Sequence, residues 1–152
     1  MSDLAKYLAA SGRLEAVYTL EIQTVPEDVD RILDAVMAVH PLKFGRYQRN
    51  ASVSAVGQET SQPEPNSTTT THVAGYEAGE TETYPMVELK ISIERDVKIL
   101  EQVMDAILYV HHYEEPVIFV REDWVSHAAY DPNSDNPHRW WNNGRGLPDR
   151  LE

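Results

Sequence analysis

Apolar and polar residues alternate over 14–23, with Leu14, Ala16, Tyr18, Leu20 and Ile22 on one side and Glu15, Val17, Thr19, Glu21 and Gln23 on the other. A period of two is that of a strand with one apolar face. Pro26, Glu27 and Asp28 then form an acidic first helical turn, where the missing proline N–H costs nothing. Val29, Ile32, Leu33, Val36 and Met37 follow at helical spacing, and Pro41 ends the helix near His40. Alternation returns over 46–56, where Tyr47, Arg49, Ala51, Val53 and Ala55 share a face and predict a second strand. The clearest strand spans 86–94, with Val87, Leu89, Ile91 and Ile93 set against Glu88, Lys90, Ser92 and Glu94. Asp96 caps a second helix whose stripe carries Ile99, Leu100, Val103, Met104, Ile107 and Leu108. The continuous apolar run 117–120 reads as a buried strand.

Three segments lie outside this pattern. Residues 2–11 read as a short helix, capped by Ser2 or Asp3 and stopped by Gly12, which makes 1–13 an N-terminal helical arm. Segment 57–80 holds Pro63, Pro65, four threonines from 68 to 71, Gly75 and Gly79, and is expected to be a long mobile loop. Beyond Trp124 periodicity stops and Asn, Asp and Pro accumulate, so 125–152 is expected to be an irregular C-terminal tail. What remains, 14–124, runs strand–helix–strand twice. The halves echo each other: Asp28-Val29 and Asp96-Val97 open the helices, and Ile32-Leu33 and Val36-Met37 align with Ile99-Leu100 and Val103-Met104. A duplicated βαβ unit predicts an α+β, ferredoxin-like βαββαβ sandwich. Both helices should cover one face of a four-stranded antiparallel sheet. The other face, with Glu15, Val17, Thr19, Glu88 and Lys90, is left open within one chain.

Composition narrows the function classes. The 152 residues carry 13 Lys and Arg against 25 Asp and Glu, a formal net charge of -12. Nucleic acid and anionic membrane surfaces both require clustered base, so neither is an expected partner. With no cysteine, thiolate metal sites, disulfides and a thiol nucleophile are excluded. No apolar run reaches the roughly 18–20 residues of a membrane span, no secretory pattern opens the chain, and a cytoplasmic protein is expected. There is no Gly-x-Ser-x-Gly elbow, His-Glu-x-x-His pair or Walker-type loop, so no enzyme is expected.

The segment His111-His112-Tyr113-Glu114-Glu115-Pro116, between the second helix and the last core strand, resembles the His-Pro-Tyr-Glu-Glu-Pro segment of the PII-like insert domain of Nif-three-like (YqfO) proteins. It is also similar to the His-Pro-Tyr-Glu-Val-Pro segment of CutA divalent-cation tolerance proteins. The resemblance spans roughly residues 14–124, and departs from the pattern at His112, where the family has proline. It implies a homotrimer with inward-facing sheets and ligand clefts between subunits. The loop between the second and third core strands, here 57–80, would read out the bound nucleotide or metal. A non-enzymatic sensor or tolerance protein responding to a small ligand or metal is thus the expected function. The alternative is a scaffold binding a protein partner through 57–80 and the tail.

Chemistry concentrates in the same segment. His111 and His112 are the candidate metal ligands, since imidazole suits a divalent ion such as Zn or a copper ion. Tyr113, Glu114 and Glu115 are candidate ligand-binding residues. A second reading makes the segment a structural corner, with Tyr113 packed and the two glutamates holding backbone N–H groups. A nucleotide there would need base, and Arg46 and Arg49 are candidates. Trp140 and Trp141 either anchor the tail or cover a cleft by stacking.

Overall fold

In the computed structural model, which describes residues 3–152, a 3-10 turn (Asp3–Lys6) precedes β1 (Leu8–Ala9), β2 (Gly12–Thr24), a second 3-10 turn (Pro26–Asp28) and α1 (Val29–Met37). There follow β3 (Ser52–Val53), β4 (Gly57–Ser61), α2 (Thr68–His72), β5 (Glu82–Glu94), α3 (Val97–Val110), β6 (Ile118–Ala128) and α4 (Trp140–Asn143). All pairings are antiparallel. The central strand β2 lies between β6 and β5, and β3 and β4 share the outer edge of β5.

Register follows from the alternation. Leu20 stands opposite Ile91 on β5 and Val120 on β6, and Ile22 stands opposite Leu89 and Ile118. These side chains share one sheet face, since directly opposed residues of a ladder point the same way. Both α1 and α3 lie on that face. Ile32, Leu33 and Val36 from α1 meet Val103 and Ile107 from α3 over Leu20, Ile22, Leu89, Ile91 and Ile93. All four apolar residues of the best-patterned strand, Val87, Leu89, Ile91 and Ile93, are buried there. Asp96 caps α3 as expected, its carboxylate accepting from the Lys98 N–H at 2.8 Å and the Ile99 N–H at 3.4 Å.

Four expectations change. The described part of the N-terminal helix is instead one 3-10 turn and the short strand β1, which hairpins onto β2; Ser2 lies outside the described residues. Gly12 closes that hairpin because no side chain fits there: a Cβ would sit 2.6 Å from the His127 carbonyl oxygen.

Of the strand expected over 46–56, only β3 pairs with β5. The preceding stretch folds back on itself, with Phe44 bridged to Tyr47 and the Arg49 and Asn50 N–H groups donating to the Pro41 and Leu42 carbonyls. Leu42 and Arg49 both take positive φ, which ends any regular strand.

The segment 57–80 is not one loop. Its start, β4, pairs with residues 82–86 of a β5 that begins earlier than the apolar alternation suggests. Ser67 then caps the one-turn helix α2. Together β4, α2 and the first half of β5 form an arm projecting beyond the sheet body, because β2 stops at Thr24 opposite Val87.

The last strand runs 11 residues rather than four. Its continuation past Val120 was hidden because β6 is an edge strand with Arg121, Glu122 and Asp123 at half-exposed or exposed positions.

Candidate functional site

The chain between α3 and β6 is a built corner. His111 is the C-cap of α3, and its imidazole is tied at both ends: Nε2–H donates to the Gln23 carbonyl at 2.8 Å and Nδ1 accepts from the Tyr113 N–H at 3.1 Å. The acceptor role at Nδ1 fixes the proton on Nε2. Burial pushes the His111 pKa down, against the opposing pull of the Gln23 carbonyl, so the neutral ring is favoured. With both nitrogens engaged by backbone, His111 serves the corner and has no lone pair left for a metal. His112, by contrast, is exposed, meets only the Tyr113 ring edge to face, and makes no hydrogen bond among the described residues.

Glu114 ties the corner to the arm. Its Oε2 accepts from the Thr68 N–H at 3.0 Å and from the Thr68 hydroxyl. These two bonds, the hydroxyl first, hold the Glu114 carboxyl below its ordinary range. The glutamate therefore bonds backbone N–H, as the structural reading of the motif anticipates, but on a segment 46 residues away.

Between arm and corner lies a cleft of about 630 Å³, within the usual range for small-molecule sites. His112, Tyr113, Glu114 and Glu115 line one wall, and Gln23, Val25 and Val117 form its floor. The arm supplies Glu59 from β4, Thr68, Thr69 and His72 from α2, and Tyr76 and Tyr84 around the start of β5. The Tyr113 hydroxyl oxygen is buried without a hydrogen-bond partner. Burial first, and then the facing Glu59 carboxylate, push its pKa up. The Tyr84 hydroxyl is pushed up to about 12, mainly by its bond to Tyr76 and by burial. Carboxylates, phenols and imidazoles thus surround the space, and no Lys or Arg lines it.

The remaining candidates lie elsewhere. Arg46 stacks over Tyr130, 3.9 Å from the ring centroid. Arg49 is held by Asp34 at 2.6 Å and Asp30 at 3.2 Å on α1. Trp140 and Trp141 pack edge to face on each other in α4, both partly exposed. None of the four borders the cleft. Among the described residues, no group of three or more His, Asp or Glu converges as a preformed metal site.

Sequence reasoning brought the segment 57–80 to the ligand as a loop but singled out none of Glu59, Thr68, Tyr76 and Tyr84. A signal existed for the last of these: Thr81-Glu82-Thr83-Tyr84 is rich in strand formers and runs directly into the strand at 86. Reading it as strand requires a partner, and only the run at 57–61 was available.

No family model matches the chain, and no curated protein matches it. Solved structures do. A NIF3-related protein from Bacillus cereus superposes over 78% of this chain with a TM-score of 0.56 and 18% identity. The chain spans only 30% of the length of that protein. The divalent ion tolerance protein CutA1 of Ehrlichia chaffeensis superposes over 84% of this chain and 92% of its own, with a TM-score of 0.50 and 14% identity. Bacillus subtilis GlnK in its ATP complex superposes less well, over 71% of this chain and 83% of its own at 13% identity and a TM-score of 0.46. At these identities the likeness is one of fold. The PII/CutA-like fold implied by the His-x-Tyr-Glu-Glu-Pro corner is the fold of this chain.

Proposed function

We propose that this PII/CutA-like chain is a non-enzymatic, small-ligand-responsive protein, with the cleft between arm and corner as its ligand site. One observation carries the reading: a space of about 630 Å³ is closed on one side by a rigid, doubly tied corner and on the other by an arm held through the Thr68–Glu114 contact. Binding there would be felt by a movable element rather than by the core. The same reading includes a homotrimer with inward sheets, in which another subunit meets the β2 face away from the helices, where Glu21 pairs with Arg121 at 2.7 Å. Of the two candidate metal ligands, His112 lines the cleft with Glu115 and His111 is taken up by the corner.

The test is a thermal-shift screen of the full chain with nucleotides, zinc and copper ions and small organic ions, followed by hydrogen exchange. A ligand at 100 times its dissociation constant raises stability by about 2.7 kcal/mol. Slowed exchange over 57–72 in the presence of that ligand is the expected result. If no ligand shifts the melt and the arm is protected only by a captured protein, the scaffold role replaces this one.

A further inference from the structure

The chemistry of the cleft wall differs from that of a phosphate site. Three carboxylates, Glu59, Glu114 and Glu115, border it, with no Lys or Arg. The nearby Arg31 is committed to Asp28 at 2.6 Å and to the Val110 carbonyl at 3.1 Å. A nucleotide would bring several negative charges into this field without a single fixed cation to meet them. A cation is favoured on three counts. The carboxylates supply charge-assisted acceptors. The rings of Tyr76, Tyr84 and Tyr113 supply an aromatic lining, and ring faces attract ammonium groups. The formal net charge of -12 raises the local concentration of any cation.

A bare metal ion fits less well, because the donors do not converge and the space is far larger than one ion. The aromatic lining points to an organic ligand. The Tyr113 hydroxyl is buried against the cleft and faces the Glu59 carboxylate without a well-formed hydrogen bond among the described residues, and such a group is normally satisfied. A ligand N–H could pair with it.

We propose that the cleft binds a small organic cation, an amine carried on an apolar body, in preference to a nucleotide. This rests on the small-ligand reading above and sharpens it. The amine sits between Glu59 and Glu115, its body lies against the tyrosines, and Glu114 keeps its hold on Thr68.

The test titrates the full chain with phenethylamine and cyclohexylamine, and separately with Mg-ATP and with zinc chloride, following backbone amide resonances of 57–72 and 112–117. The expected result is that at least one amine perturbs both segments. In the Glu59→Gln, Glu115→Gln double variant its affinity should fall by about tenfold or more, as for lost charged hydrogen bonds. The Glu122→Gln variant, further along β6, beside Arg95 and outside the cleft lining, should bind as the unaltered chain does. Amine binding that is equal in the double variant overturns the proposal. If Mg-ATP or zinc perturbs the two segments and no amine does, the cation inference fails and the small-ligand function stands. If none of the probes perturbs them, both fail.

Discussion

Single residues decide two features of this chain. At Gly12 a Cβ would meet the His127 carbonyl at 2.6 Å, and that atom belongs to backbone fixed in the β2–β6 ladder. Gly12→Ala should therefore cost about 1–3 kcal/mol, the usual penalty of forced overpacking; a melting temperature unchanged from the parent would refute the close approach. At His111 the prediction concerns pH. Burial holds its folded-state pKa below the ordinary 6.5. Between those two values the unfolded chain binds a proton more readily than the folded one. The resulting stability is fully present above about pH 6.5 and is lost as pH falls through the folded pKa. His111→Gln keeps a donor for the Gln23 carbonyl and removes the titration. Its stability deficit relative to the parent, measured by denaturant unfolding, should shrink from about pH 8 to about pH 5. A deficit independent of pH would contradict the neutral, doubly bonded ring.

Among the elements, the arm tests the site most directly. A two-stranded ribbon is marginal without further packing, and the contact of Glu114 with Thr68 is what fastens this one to the corner. Glu114→Ala should speed hydrogen exchange over 57–72 and leave β2 and α3 unchanged; equal exchange in both proteins would show that the arm needs no such tie. How much of this was legible in the sequence follows from where the apolar pattern is strong. Elements that bury a face declare themselves: Leu20 and Ile22 on β2, Leu89 to Ile93 on β5, and the α3 stripe ending in Ile107 were all readable from period alone. Those that bury little do not. Gly57 to Ser61 of β4 are nearly all exposed, so their pairing depends on a partner strand and not on their own composition. The corner was readable as a motif, and its wiring was not. Which atoms His111 and Glu114 bond depends on Gln23 and Thr68, 88 and 46 residues away. The surroundings of Arg49 were not legible for a related reason. Arg49 lies near acidic positions of α1 that only the fold-back of 41–50 brings to it.

At the scale of the whole molecule, the proposed trimer predicts a light-scattering mass near three times 17.3 kDa, constant on dilution through the working range; a monomer at all concentrations would remove it and leave the single-chain cleft intact. The sheet also carries a mechanical consequence. The strand β5 is one continuous beam, clamped from Val87 onward between β2 and the helices and unsupported by the sheet body from Glu82 to Met86. Its overhang is a cantilever of roughly 17 Å at the usual rise per residue. Flexure concentrates at the clamp, where stiff core gives way to ribbon, and deflection grows toward the tip. A bend of about ten degrees there carries the tip through about 3 Å for that length. On the proposed small-ligand reading, occupancy of the cavity would become a displacement at the periphery, with the packed interior behind the clamp as ballast.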